Sequence, residues 1–159
     1  MEAKFWERTS MITDATPTEY SVAIQIHAVM QAAYTLEADR IGFAEFPPLR
    51  ESLEELRQSS DSFLVFQQSG RIIGGLSFRR RTDTVAITRL VVSPEHLRQG
   101  IAIALLSELE CRLFRITRLT VSTAATNTPA ISLYKRFGFT TASASTSAEG
   151  IPLLHLLKA

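Results

Sequence analysis

The chain has 159 residues, 45% of them hydrophobic and 21% charged, with a formal net charge of +1. That length suits one domain with a real core and leaves too little chain for two. A balance so close to neutral argues against bulk nucleic acid or an anionic membrane as the main partner. The single cysteine, Cys111, cannot close an internal disulfide, so a stapled secreted scaffold is excluded and a reducing compartment fits. The longest apolar run spans Ile101 to Leu106, far short of the ~20 residues of a membrane helix. The N-terminal stretch carries scattered charges and no apolar h-region, which reads as no signal peptide and a cytoplasmic protein.

Several chemistries are absent from the text of the sequence. No glycine precedes a lysine, so there is no Walker loop, and G-x-G-x-x-G, C-x-x-C and G-x-S-x-G do not occur. None of His27, His96 and His155 lies in H-E-x-x-H, so no metal site is expected.

Phe5 and Trp6 read as an arm or a first strand within residues 1–12. Thr16, Pro17 and Glu19 form a helix-start pattern: a cap, a proline at the first position and a capping box. Val22, Ile26, Val29, Met30 and Ala33 continue it at helical spacing, predicting a helix over 17–34. Residues 36–47 read as a long connection of mixed aromatic and acidic character, and long ordered connections tend to be functional. Pro48 opens a second helix with Leu49, Leu53 and Leu56 on one side. A β-prone run over 62–67, a turn over 68–70 and a return over 71–79 predict a hairpin. Gly74 and Gly75 within it mark a bulge or a close approach by another element. Arg79, Arg80 and Arg81 read as a solvated turn in preference to a phosphate-binding role.

Residues 85–92 predict a third, buried strand, broken by Pro94. Gly100 opens an amphipathic helix with Ala102, Leu105, Leu106, Leu109 and Leu113 in one stripe. A strand over 116–121 follows, then a short helix over 128–136 closed by Gly138. Two more strands complete the tail, with Glu149 and Gly150 turning between them. The first, over 140–148, is all Thr, Ser and Ala and weak as a strand. The order predicts an α/β sheet, mostly antiparallel, with helices on both faces and one right-handed β-α-β crossover joining parallel strands.

The junction from Leu90 through Ala102 is the most informative stretch. A helix that begins there presents backbone N–H groups without intrahelical partners, at the positive end of its dipole, so it forms an anion site. Gly100 and Ala102 would let a phosphate approach the backbone. An ordinary β-turn-α connection, with the small residues serving helix packing, fits the local features equally well. Further on, Asn127 or Thr128 caps a helix that Pro129 starts, and Tyr134 comes near its end. Alone, such a tyrosine reads as a half-buried packing residue.

Taken together, Val92-x-Pro94 with Gly100-x-Ala102, and Asn127-x-x-Ala130-x-x-Leu133-Tyr134-x-x-x-Gly138-Phe139, resemble the two coenzyme segments of the GNAT superfamily of N-acetyltransferases. The element order resembles that family from about Thr13 onward. One departure stands in the phosphate loop: Leu97 occupies a position the family gives to Gln or Arg, and Arg98 follows it. The resemblance implies one acyl-CoA N-acyltransferase domain over 1–159, using acetyl-CoA as co-substrate to acetylate an amine acceptor. It implies a coenzyme site of Leu90, Val91, Val92, Leu97, Arg98, Gln99, Gly100, Ile101, Ala102, Asn127, Ala130 and Tyr134, with Tyr134 as catalytic acid. It implies an acceptor site drawn from the 36–47 region and its surroundings, for which Tyr34, Glu37, Glu45 and Phe46 are the candidates, with Arg40 and Phe43 beside them. The base is not readable; His27 and His155 read as structural. The resemblance leaves room for a homodimer, and a non-catalytic acyl-CoA-binding module is the competing reading.

Overall fold

The computed structural model describes residues 10–113 and 118–159. Phe5, Trp6 and the first two residues of the expected 116–121 strand lie outside them. Among the described residues seven strands form one sheet: β1 (Ser10–Ala15), β2 (Ser62–Gln68), β3 (Arg71–Arg80), β4 (Thr84–Val92), β5 (Arg118–Ala124), β6 (Thr140–Thr146) and β7 (Pro152–Lys158), in spatial order β1-β2-β3-β4-β5-β7-β6. Every neighbouring pair is antiparallel except β4 and β5. The helices are α1 (Tyr20–Ile41), α2 (Leu53–Arg57), α3 (Ile101–Arg112) and α4 (Thr128–Phe137). The mixed sheet and the β4-α3-β5 crossover agree with the sequence expectation.

Alternation along the inner strands divides the core in two. Leu64, Phe66, Leu76, Val85 and Ile87 pack with Leu105, Leu106 and Leu109 of α3 and with Tyr134 and Phe139. Phe63, Val65, Ile72 and Val91 point the other way, onto Ile26, Val29, Met30 and Tyr34 of α1. Side chains leave successive strand residues on opposite faces, so one strand serves both cores.

Two helices depart from expectation. The first helix starts at Tyr20, because a backbone bond from Glu19 N–H to the Thr16 carbonyl (3.0 Å) closes a turn over Thr16–Glu19, and no side chain caps the helix. It then runs to Ile41, since Leu36, Glu37, Ala38 and Arg40 are helix formers and nothing stops the coil before Gly42. Half of the supposed 36–47 connection, residues 36–41, is therefore the end of α1. The second helix is also broken: a 3-10 turn over Pro47–Arg50 gives way to α2, which Ser52 caps by accepting from Glu55 N–H at 3.0 Å.

The Thr/Ser/Ala segment does form a strand. All of β6 is exposed, yet it pairs with β7 from Thr140↔Leu157 to Thr146↔Pro152. Ladder bonds need backbone, not apolar side chains, and an edge strand has little to bury. Gly74 resolves as a close approach: a Cβ built there would lie 2.9 Å from Ile101 Cγ2, at the first residue of α3. The register shift between β2 and β3 falls beside it, where Ile73 is left over.

Candidate active site

β4 and β5 pair only over Thr84↔Arg118, Val85↔Leu119 and Ala86↔Thr120. Beyond Ala86 they splay, and a second register shift against β3, leaving Thr88 over, bends β4 further. Ser93 N–H donates to Ile73 O at 2.8 Å. By strand alternation Leu90 and Val92 turn their N–H groups away from β3, toward the side β5 vacates. Two cavities of about 320 Å³ each open into this split.

The first lies toward α3. Leu90, Val91, Val92, Leu97, Arg98, Gly100, Ile101 and Ala102 line it with Asn127, Ala130 and Tyr134. Of the residues expected there, only Gln99 is outside the lining. Its floor is the start of α3. Gly100, at φ 82°, is the N-cap, and Arg98 also has a positive φ (60°). The first helical bond is from Ala104 N–H to Gly100 O (3.0 Å), so the N–H groups just ahead of Ala104 have no acceptor within α3. Arg40, Arg98 and Arg136 add positive charge, and His96 Nδ1 is buried against the wall without a hydrogen-bond partner. These features fit a diphosphate on a flexible arm. Arg40 was expected on the acceptor side and belongs here instead, because α1 continues past Tyr34. His96 and Arg136 were not anticipated; His96 ends a 3-10 turn over Pro94–His96, and Arg136 is exposed near the end of α4.

The second cavity lies toward β5 and β7, lined by Phe46, Pro47, Pro48, Arg89, Ser122, Thr123, Glu149 and Leu153 among others. Phe46 stacks edge-on against Tyr34, centroids 6.0 Å apart. Glu45 is exposed and lines neither cavity, and Phe43 packs beneath α1. Both follow from the shortened connection. Arg89 is held inside a charge cluster: its Nε donates to Glu51 Oε1 (2.8 Å), Nη1 to Asp61 Oδ2 (2.9 Å) and Ser77 Oγ (3.1 Å), and Nη2 to Glu51. Asp61, 1% exposed, also accepts from Arg79 Nε and Thr88 Oγ1, both at 2.8 Å. Arg89 thus enters the cavity wall with its charge already met. Thr88, Ser77 and Asp61 gave no sequence signal, since their meeting depends on the β4 register shift. His155 links Ser122 and Ser145 at 2.6 Å on each ring nitrogen, at the open face of the sheet. His27 Nε2 donates to Glu51 O (2.9 Å) and ties α1 to the segment before α2.

Six residues line both cavities: Tyr34, Glu37, Leu90, Asn127, Ala130 and Tyr134. They form the neck between them. Asn127 Nδ2 donates to Glu37 Oε1 at 2.9 Å, so this side chain orients a carboxylate and does not cap α4. Burial raises the Glu37 pKa above the ordinary value, partly offset by the Asn127 bond and the Arg40 charge. Burial raises both phenols as well, and the Glu37 charge adds to it: Tyr134 and Tyr34 are held protonated far past neutrality. Tyr134 is fixed edge-on to Phe139, centroids 5.6 Å apart.

A family model described as the acetyltransferase (GNAT) family matches residues 26–139. The chain belongs to that family. Its fold is also that of the Thermoplasma acidophilum PaiA N-acetyltransferase in complex with coenzyme A: TM-score 0.79, 18% identity, 94% of this chain and 98% of that one covered. The Escherichia coli ribosomal-protein-S18-alanine N-acetyltransferase gives a TM-score of 0.73 at 20% identity, with 94% and 92% covered. A Bacillus subtilis (strain 168) relative, UPF0157 protein YqkA, is 36% identical over 135 residues, which are 85% of this chain and 39% of that protein. The chain therefore spans about two fifths of the relative's length.

Proposed function

We propose that this chain transfers an acetyl group from acetyl-CoA to a primary amine of a small molecule or peptide by direct attack on the thioester. The observation that carries the reading is the neck: a cationic cavity floored by a helix N-terminus meets a second cavity at a buried phenol, an amide and a carboxylate.

Acetyl-CoA supplies a thioester carbonyl open to nucleophiles and a thiolate leaving group. The chain's part is to hold and polarise it. The α3 N–H groups and Arg98 suit the diphosphate, and that grip does not depend on the side chain at 97, so Leu97 removes only a side-chain contribution. Asn127 keeps its Oδ1 free to accept from an amide arm while Nδ2 is engaged with Glu37. The outward N–H of Leu90 or Val92 is placed to stabilise negative charge on a carbonyl oxygen in the split. The Tyr134 hydroxyl, buried and protonated, holds a proton for the departing sulfur. On the acceptor side Glu149 adds a negative charge that Arg89 does not meet, since Glu51 and Asp61 already balance Arg89. That charge favours an ammonium group.

Calorimetry should show acetyl-CoA binding to the wild-type chain and none to Gly100→Glu, whose carboxylate would occupy the anion cradle. Thiol release should depend on an added amine, tested with tyramine, 1,4-diaminobutane and an N-terminal alanyl tripeptide. Micromolar binding retained by Gly100→Glu would place the diphosphate elsewhere.

A further inference from the structure

We infer that Glu37 is the general base that deprotonates the acceptor amine. This rests on the transfer reading above. The attacking nitrogen and the thioester must meet where the two cavities join, so the proton acceptor must stand at the neck. Of the residues that line both cavities, Leu90 and Ala130 carry no titratable group, Asn127 is an amide, and Tyr34 and Tyr134 are protonated phenols. Glu37 alone offers a basic lone pair there. Of the other ionisable groups of the acceptor cavity, Glu149 is exposed in the β6–β7 turn, and Arg89 is a cation already ion-paired with Glu51 and Asp61.

Glu37 is also built for the task. Its position on the penultimate turn of α1 is rigid, and the bond from Asn127 Nδ2 fixes Oε1. Arg40 on its own helix favours the carboxylate, while burial, the larger effect, disfavours it. A base that is harder to keep ionised than a surface carboxylate takes a proton more readily.

The protons and bonds then balance. Glu37 takes one proton from the ammonium group. The freed nitrogen pair forms the C–N bond, the C–S bond breaks, and its pair leaves on sulfur to receive the Tyr134 proton. Tyr134 recovers a proton from the new amide nitrogen, which retains one. The products are an amide, a thiol and one proton on Glu37, which passes to water.

Glu37→Gln is the decisive variant, because it keeps an oxygen for Asn127 Nδ2 and removes only the base. With tyramine, 1,4-diaminobutane or the alanyl tripeptide, kcat/KM should fall about 100-fold or more. With hydrazine assayed above its own pKa, already neutral, it should stay near wild type. Acetyl-CoA affinity by calorimetry should stay within about threefold, under half of a tenfold step in free energy. An infrared pH titration of the free protein should lose one carboxyl band. Glu37→Asp, which keeps a carboxylate, should retain measurable turnover. Equal losses with hydrazine and with ammonium acceptors, a collapse of acetyl-CoA binding, or unchanged turnover would each overturn the base assignment alone. Acetyl-CoA binding with no thiol released to any amine would overturn the transfer reading with it.

Discussion

The contact between β3 and α3 can be tested by a single methyl group. Gly74→Ala would put a Cβ 2.9 Å from Ile101 Cγ2 and 3.5 Å from Leu105 Cδ1, with the Val91 carbonyl at 3.4 Å. Ile101 and Leu105 are fully buried, so neither side chain has free space to retreat into, and the first turn of α3 must move by roughly half an ångström or more to reach ordinary contact. Overpacking of this kind costs about 1–3 kcal/mol. For a domain of this size each kcal/mol lowers Tm by about 2–4 °C. The same shift would move the α3 N–H groups away from the place proposed above for the diphosphate. Losing one charge-assisted hydrogen bond, about 1.5 kcal/mol, weakens acetyl-CoA by about tenfold. Gly75→Ala is the control: its Cβ would meet nothing closer than Leu64 O at 3.7 Å. That substitution should be neutral or slightly stabilising, since Gly in a strand already costs ~0.5–1 kcal/mol relative to Ala. Urea denaturation and calorimetry on both variants read the two effects. If Gly74→Ala matches Gly75→Ala in stability and in acetyl-CoA affinity, the helix start is not seated on Gly74 and the cradle does not depend on that contact.

Two further outcomes follow from the buried groups. Tyr134→Phe should lower turnover about 100-fold or more while leaving acetyl-CoA affinity nearly intact, as expected for an acid used only when sulfur departs; unchanged turnover would remove Tyr134 from the mechanism. At Asp61, burial opposes ionisation, but the hydrogen bonds from Thr88 and Arg79 and the Arg79 and Arg89 charges outweigh it, and the pKa is lowered. A carboxyl whose folded pKa lies below its unfolded one stabilises the fold fully above the ordinary carboxylate range and loses that contribution as pH falls toward the folded value. Asp61→Ala should therefore cost about 3–5 kcal/mol at neutral pH, leaving Arg89 half-paired in a buried cluster, and the gap to wild type should narrow in acid. A gap independent of pH would mean that the carboxylate charge is not what holds the cluster.

Local rules reached far into this chain. The hairpin from 62 to 79, the strand over 85–92, the helix after Gly100 and the Asn127–Gly138 segment follow from alternation, helical spacing and capping residues, each of which acts within a few positions. The helix start at Gly100 was legible for the same reason: a helix N-terminus is a local property of backbone, and Gly100 and Ala102 stand in the text. Where signals compete locally, the reading failed. Pro17 suited a first helical position but served a turn, and the aromatic and acidic residues after Leu36 obscured a helix that simply continued to Ile41.

The neck was beyond any local rule. Asn127 and Glu37 are 90 residues apart and bond across α1 and α4, and Arg89 meets Glu51 and Asp61 only through the displaced register at Thr88. Periodicity fixes which face a side chain leaves from, but burial and partner depend on how far β4 and β5 part and where α1 ends. Residue order thus determined the inner strands, α3, α4 and the turn that opens α3, because those arise from neighbours in the chain. Packing alone decided which carboxylate stands beside the phenol, because desolvation and charge act through space.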